Sequence, residues 1–219
     1  MSDASSFSER MRAHADRTWR AVLRHRFFRE VATDAINERV FARYLRIEYG
    51  FVDTAARALG YAVAKAPSFQ ERRRLGLGLY GLVTDQEQVF VDAFERMGAS
   101  GNERTGLAPQ GLALPLHTLF LKVAETEGYE EILACTLAAE WMYLTWCSAA
   151  NTSPSSRAYI REWVALHAGG EFAEHVAWVR SEIDTRGPKL SEARRARLSA
   201  LFEEALEAEI AFHDAPYAG

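Results

Sequence analysis

Apolar residues recur along most of this chain at the three- and four-residue spacing that places them on one face of an α-helix. The first such stripe, within about residues 7–24, consists of Met11, Ala15, Trp19 and Val22. No segment alternates between apolar and polar residues with the period of two that is typical of a half-buried β-strand. The pattern therefore predicts an all-α protein, a single-domain bundle of seven or eight helices.

Capping residues and helix breakers give the boundaries of these helices. Asn37 is preferred to Asp34 as the cap of a long helix, and Ser68, with a glutamate three residues further on, forms a capping box for the next. Ser153 is the expected cap of a later helix, with Pro154 at its first position, and Ser191 is the expected cap of the last helix. The predicted helices cover about residues 7–24, 38–66, 68–98, 112–125, 132–150, 153–168, 171–186 and 191–213, with a short helical turn before residue 32.

The stretch Ile132–Ala150 departs from this pattern because it is apolar nearly all the way round and carries a single charged residue, Glu140. A helix of that kind is buried on most sides. A membrane span is the alternative, but a carboxylate at the centre of a bilayer costs about 2.5–3.5 kcal/mol. The chain also has no second segment of this kind. We therefore expect a central buried helix.

Composition and charge narrow the functional classes. The 219 residues are 48% hydrophobic and 26% charged, without a linker, repeat or low-complexity tract, so residues 1–219 are predicted to form one domain. A net charge of −4 and a pI of about 5.9 give no basic surface for nucleic acid or an anionic membrane. Cys135 and Cys147 lie too far apart on one rigid helix to form a disulfide. With no apolar signal-peptide core near the N-terminus, we expect a cytoplasmic protein with reduced thiols.

Four polar side chains occur within apolar stretches at helical spacing, namely Glu48, Glu140, His167 and Glu209. Tyr143 follows Glu140 by three positions and so shares its helix face. An acid in an apolar helix must be paired, hydrogen-bonded or neutralised. Each of these residues fits either a structural hydrogen bond or a place in a ligand pocket between helices, and the residues alone leave both interpretations open.

Metal and cofactor motifs give no positive signal. The segment Glu171–His175 has a Glu-x-x-x-His spacing, but no second Glu-x-x-His partner accompanies it, as a di-iron bundle requires. The sequence contains no His-Glu-x-x-His, Cys-x-x-Cys, glycine-rich phosphate loop or Gly-x-Ser-x-Gly motif. We therefore expect neither a metal nor a cofactor.

Several segments, in order along nearly the whole chain, resemble the motifs of one family. His25-Arg26-Phe27 resembles a His-Pro-Phe, and residues 41–49, Phe-Ala-Arg-Tyr-Leu-Arg-Ile-Glu-Tyr, resemble a Phe-x-x-Tyr-x-x-Gln-Asp-Tyr. Residues 137–143, Leu-Ala-Ala-Glu-Trp-Met-Tyr, resemble a Leu-Pro-Cys-x-Trp-x-Tyr. The alanine-rich segments 56–59 and 64–66, Trp163 to Gly170, and Glu209-x-x-Phe212 complete the order. The chain thereby resembles the TenA (thiaminase II) family.

This resemblance implies a heme-oxygenase-like all-α fold, assembled as a homodimer or homotetramer, that hydrolyses the aminopyrimidine half of thiamin or its breakdown products. It places Glu48 where the family has an Asp that hydrogen-bonds the pyrimidine. Phe51 and His167 stand where the family has tyrosines, and Tyr143 matches a tyrosine of the pocket. Glu209 matches the acid near the leaving group. A small-molecule pyrimidine is thus the expected substrate, bound in a pocket enclosed by the helices that carry these residues and Glu140.

The main departure from the family is Ala139, which occupies the position of the nucleophilic cysteine, while Cys135 lies one turn earlier. Glu140 makes the chain resemble a second branch of the family that lacks this cysteine and carries a glutamate. That branch implies salvage of formylaminopyrimidine or aminopyrimidine. A buried carboxylate at Glu140 is suited to act as a general base on water, and Glu209 to protonate the leaving amine. Neither Cys135 nor Cys147 is expected to be a nucleophile.

Two alternative functions remain. The first is another enzyme of the same fold, either a cofactor-free oxidase resembling pyrroloquinoline quinone synthase or a heme-degrading relative, for which His14 or His25 would be the candidate axial ligand. The second is a non-enzymatic ligand-binding or regulatory protein. The acidic pI and the lack of a helix-turn-helix signal count against direct DNA binding.

Overall fold

Helices account for nearly all of the regular structure in the computed structural model, which describes residues 6–99, 101 and 105–218. The eleven α-helices of this described part are α1 (Phe7–His14), α2 (Asp16–Leu23), α3 (Arg26–Ala32), α4 (Glu38–Lys65), α5 (Phe69–Gly81), α6 (Glu87–Arg96), α7 (Leu114–Thr126), α8 (Tyr129–Ala150), α9 (Ala158–Ala168), α10 (Gly170–Arg186) and α11 (Glu192–Asp214). Short 3₁₀ turns lie at Gly111–Ala113, Gly187–Lys189 and Ala215–Tyr217. The all-α prediction is confirmed, and the described residues include no β-strand.

Two pairs of these helices are almost continuous. Helices α1 and α2 meet at Ala15, and α5 runs into α6 through a π-helical turn, Leu82–Gln86. This turn directly follows Gly81 and interrupts the single helix that was predicted over about residues 68–98. Joined across these two breaks, the described part of the chain contains nine helices. The short helix α3, which the pattern predicted only as a turn, accounts for the difference from eight.

Helix α8 lies at the centre of the bundle. It packs most extensively against α11, α9 and α10, and it also contacts α7, α4 and α2. Most of its residues are buried on whichever side they lie, as the absence of an apolar stripe predicted. None of the described helices is both long and apolar enough to cross a membrane.

Three predicted helix caps are confirmed. The side chains of Asn37, Ser68 and Ser191 accept hydrogen bonds from backbone N–H groups in the first turns of α4, α5 and α11. The Ser68 hydroxyl also donates to the Glu71 carboxylate, which completes the predicted pairing of these two side chains. Local sequence therefore fixes where these three helices begin.

The predicted start of α9 is wrong, because Ser153 and Pro154 lie outside the helix, which begins at Ala158. The segment before it is held by Asp34, whose carboxylate accepts hydrogen bonds from Ser155, from the backbone N–H of Ser156 (3.1 Å) and from Arg157 (3.0 Å). These hydrogen bonds keep the pKa of Asp34 far below its ordinary value. The contact with Asp34, which is distant in sequence, thus places the start of α9 one turn later than predicted.

A close backbone approach fixes the middle of α4. The N–H of Leu107 donates to the carbonyl of Arg46 over 2.8 Å, so the connection before α7 lies directly on α4. A Cβ atom added at Gly50 would overlap the carbonyl group of Leu107, whereas one added at Gly60, further along α4, would meet nothing within 4 Å. Only the first glycine is required by packing.

This difference predicts opposite effects of two identical substitutions. Gly50→Ala must push the Leu107 backbone away and should lower the free energy of unfolding by about 1–3 kcal/mol. Gly60→Ala, the matched control in the same helix, should raise it by about 0.5–1 kcal/mol because alanine is the better helix former. Urea unfolding of both variants beside the wild type measures this. Equal effects of the two substitutions would contradict the packing argument.

Candidate active site

One cavity of about 730 Å³ opens between helices α4, α5, α7, α8, α10 and α11 and the end of α9. All six residues that the sequence analysis selected for a site line it: Glu48, Phe51, Glu140, Tyr143, His167 and Glu209. Its inner end is formed by the buried residues Glu48, Tyr143, His167 and Glu209. Its mouth carries the more exposed charged residues Arg74, Asp85, Glu171 and Glu174.

Glu140 lies between these two ends and has a partner on α10. Its Oε1 is 3.1 Å from Nε2 of His175, which also lines the cavity. The charge of Glu140 raises the pKa of His175 above its ordinary value, more than burial lowers it. The second oxygen, Oε2, is buried and has no hydrogen-bond partner within the described part of the chain. One carboxylate oxygen is thus held by an imidazole whose charged form it stabilises, and the other is left for a ligand or water.

Ala139 lines the cavity, and neither cysteine does. Cys135 and Cys147 are both buried free thiols. Burial, as the largest cause, raises the pKa of each thiol above its ordinary value. A nucleophilic cysteine needs the opposite shift and access to the substrate. The geometry therefore fits the expectation that neither cysteine acts as a nucleophile.

The two acids at the inner end are more deeply buried than Glu140. Burial raises the pKa of Glu48 to about 8. It raises the pKa of Glu209 well above the ordinary value, and the nearby charge of Glu48 adds to this. The Oε2 of Glu209 has no hydrogen-bond partner among the described residues. Burial therefore favours the protonated form of both side chains.

His167 and Phe51 give this end an aromatic wall. The ring of His167 stacks on Tyr143 with 5.1 Å between centroids, and its Nδ1 donates to the carbonyl of Trp163 over 2.9 Å. Burial lowers the pKa of His167 to about 4, so the ring is neutral and its Nε2 is an unprotonated acceptor. Phe51 meets the ring of Phe212 edge-on at 5.7 Å. Such surfaces suit a flat heteroaromatic ring with a few polar atoms.

Sequence reasoning missed three residues that form hydrogen bonds with the selected side chains. His175 was considered only as part of an incomplete metal motif, although its spacing from Glu171 was noted. Tyr44 and His213 were not selected at all, yet each lies 3.0 Å from the hydroxyl oxygen of Tyr143. No local signal identifies them, because each acts across helices that are far apart in sequence.

Neither histidine considered as a heme ligand lines the cavity. His14 is 58% exposed beside Glu203, and His25 caps α3 through Nδ1 while its Nε2 faces Asp214 at 3.1 Å. The described residues also contain no group of three or more metal-ligating side chains. A second, smaller cavity of about 320 Å³ lies against the connection before α7. It contains none of the six selected residues.

Comparisons with known proteins agree with this picture. Residues 12–218 match the model of the TENA/THI-4/PQQC family. Among curated proteins, no sequence matches the chain.

Solved structures of similar fold include a TenA homologue from Pyrococcus furiosus, with a TM-score of 0.87 and 24% identity, which covers 96% of this chain and 100% of its own. A protein from Silicibacter sp. TM1040, described as a TenA family transcription regulator, has a TM-score of 0.89 and 20% identity over 100% of both chains. A putative TenA-like thiaminase from Sulfolobus solfataricus P2 has a TM-score of 0.80 and 16% identity over 96% and 95%. At these identities the likeness establishes the fold.

The His175–Glu140 pair predicts a pH-dependent contribution to stability. Because the pKa of His175 is raised in the folded protein, the pair stabilises fully below the unfolded histidine pKa of about 6.5 and loses this effect as the pH rises through the folded value. His175→Gln should therefore lower Tm most near about pH 5.5 and progressively less up to about pH 9.

Thermal unfolding across that range measures the effect. His14→Gln removes an exposed histidine–glutamate pair and is the matched control, since such pairs contribute little. A Tm difference for His175→Gln that stays constant with pH would show that the imidazole acts by packing alone.

Burial of the two thiols predicts slow labelling. In the folded protein at neutral pH, iodoacetamide should leave Cys135 and Cys147 unmodified over the time in which the urea-unfolded chain reacts completely, because thiolate and access are both lacking. Mass spectrometry of timed samples gives the result. Rapid labelling of Cys135 alone would indicate an activated thiol and would restore a cysteine mechanism.

Proposed function

The chain belongs to the TENA/THI-4/PQQC family, and on that premise we propose that it hydrolyses a C–N bond of an aminopyrimidine-type breakdown product of thiamin, such as formylaminopyrimidine or aminopyrimidine, in thiamin salvage. The family and the structural neighbour described as a TenA-like thiaminase support a thiamin-related role. A homodimeric or homotetrameric assembly in the cytoplasm belongs to the same proposal.

The unpartnered Oε2 of Glu140 is the observation that carries this proposal. A buried carboxylate oxygen without a partner is costly unless a ligand or water completes it. His175 holds the other oxygen at 3.1 Å, which fixes the carboxylate in place and leaves Oε2 to act as a base on water. With Ala139 in place of a nucleophilic thiol, water is the nucleophile that remains.

The neutral acid at Glu209 supplies the second half of the reaction. In hydrolysis of a formyl amide, Glu140 takes a proton from water as the oxygen attacks the formyl carbon. Glu209, whose raised pKa favours the protonated form, gives its proton to the departing amine nitrogen. The C–N bond breaks to give the free amine and formic acid, which contains the new C–O bond. Glu140 then loses its proton to solvent and Glu209 regains one before the next turnover.

The inner end of the cavity then binds the pyrimidine ring. Phe51 offers an edge or face to the ring, while His167 Nε2 and Glu48 face its nitrogen atoms and amino group. The cavity exceeds the size of such a ring, which leaves room for the attacking water and for the substituent that departs.

The proposal predicts that Glu140→Gln loses activity and keeps its fold. Glutamine preserves the volume and removes the base, so kcat should fall by about 10²–10⁴-fold. Tm should fall by no more than the His175–Glu140 pair contributes at the assay pH, and should change little at alkaline pH, where His175 has lost its proton. Glu130→Gln is the matched control, since Glu130 lies in the same helix but pairs with Arg194 outside the cavity.

A panel of thiamin, formylaminopyrimidine and aminopyrimidine, followed by mass spectrometry, identifies the substrate and provides the assay. If the wild type turns over one of these compounds and Glu140→Gln keeps kcat within about threefold, Glu140 is not the base. If the wild type turns over none of them, the proposed reaction is wrong.

A further inference from the structure

We infer that Glu48 is held as a neutral carboxylic acid by a hydrogen-bond chain that runs through the Tyr143 hydroxyl to His213, and that it therefore meets a ligand as a hydrogen-bond acceptor and not as an anion. His213 and Tyr44 do not line the cavity; they are positioning residues that act through Tyr143. The protonation state of Glu48 follows from this chain alone, and only the identity of the ligand rests on the proposed function.

The chain starts at a fixed hydrogen on His213. Its Nδ1 lies 2.8 Å from the backbone carbonyl oxygen of Glu209. A carbonyl oxygen can only accept, so Nδ1 must carry the hydrogen of this contact. A neutral imidazole has one N–H, and Nε2 is then an acceptor.

The hydroxyl of Tyr143 has one hydrogen and three neighbours. His213 Nε2 lies 3.0 Å from the hydroxyl oxygen, Tyr44 Oη lies 3.0 Å from it and Glu48 Oε2 lies 3.2 Å from it. If Nε2 accepts the single hydrogen of Tyr143, the other two groups must donate to the tyrosine oxygen, which has two lone pairs. Tyr44 donates through its hydroxyl. Glu48 donates only if Oε2 is protonated.

One alternative arrangement satisfies the same contacts, with both hydrogens of the chain shifted so that His213 is a cation and Glu48 an anion. It would place two charges in a region where His213 is fully buried among aromatic rings, including Phe28 at 4.6 Å and Phe27 at 5.2 Å between centroids. Desolvation opposes both charges. Burial correspondingly lowers the pKa of His213 to about 3 and raises that of Glu48 to about 8.

The remaining groups around Glu48 do not offset this cost. The titratable side chains that approach it are Cys147 and Tyr143 of α8, Glu209 and His213 of α11, Tyr44 of its own helix and His167 across the cavity. No lysine or arginine among the described residues shifts the pKa of Glu48. The neutral form is therefore the stable one at pH 7.

The second oxygen of Glu48 determines what a ligand must present. Glu48 lines the cavity, and its contact with Tyr143 is made through Oε2. In a neutral acid hydrogen-bonded through Oε2, Oε1 is the carbonyl oxygen, which accepts an N–H. An exocyclic amino group of a neutral heteroaromatic ring fits this acceptor. A protonated, cationic ring would gain no ion pair there.

Infrared difference spectroscopy of the free protein tests the protonation state. The wild-type minus Glu48→Gln spectrum at pH 7 should contain the C=O band of a protonated carboxylic acid, and this band should disappear only when the pH is raised to about 8 or higher. Glu131 is the matched control, since it is equally buried but paired with Arg194 at 2.8 Å. The wild-type minus Glu131→Gln spectrum should contain carboxylate bands only.

The role of His213 is tested by removing the acceptor at the end of the chain. His213→Phe frees the Tyr143 hydrogen to stabilise a Glu48 carboxylate, so the midpoint of the band should move down by about one pH unit or more. Tyr44→Phe removes only a donor to the same oxygen and should not lower the midpoint. If His213 acted only through packing, His213→Phe would leave the midpoint unchanged, as Tyr44→Phe does.

A ligand measurement then connects this state to binding. For 4-aminopyrimidine, Glu48→Gln should keep a Kd within about threefold of the wild type, because the amide oxygen replaces the acid carbonyl; loss of a charged acceptor would cost about tenfold or more. A wild-type spectrum with only carboxylate bands for Glu48 at pH 7 overturns the inference. Failure of the wild type to bind this probe contradicts the proposed substrate class and leaves the infrared result intact.

Discussion

The burial of α8 on nearly every side is the constraint from which the site follows. A helix at the centre of a bundle cannot turn its polar side chains towards bulk solvent, so each must find a partner on a neighbouring helix. Glu140 finds His175 on α10, and Tyr143 finds groups on α4 and α11. The cavity lies where these contacts replace close packing. The side chains of α8 that form these hydrogen bonds therefore also line the cavity.

Local environment, more than sequence, distinguishes the glutamates Glu48, Glu140 and Glu209, which line the cavity away from its mouth. Glu140 lies beside an imidazole whose raised pKa favours a charged pair, whereas burial without a cation raises the pKa of Glu48 and Glu209. Acid–base catalysis at one pH requires such a separation, since one group must be ionised and another protonated. The proposed reaction uses this separation by taking Glu140 as the base and Glu209 as the proton donor.

The sequence predicts the helices well because their information is local. Asn37 and Ser68 act within one turn of their own position, and the all-round apolar composition of α8 is visible without any partner. The predicted start of α9 was wrong because Asp34, more than a hundred residues earlier in the chain, holds the segment before the helix. His175 and His213 were missed for the same reason. Their roles depend on which helices lie side by side, which helical periodicity does not report.

Alanine in place of cysteine at position 139 affects the direction from which the proposed substrate would be attacked. Successive residues of an α-helix are rotated by about 100°, so Glu140 approaches the cavity from a different side than a side chain at position 139. A nucleophile at 139 would form a bond with the substrate directly. Glu140, whose Oε1 is held at 3.1 Å by His175, is suited to hold a water molecule with its other oxygen. Under the proposed function, the small Ala139 side chain leaves space for that water between Glu140 and the substrate, and the hydrolysis needs no covalent intermediate.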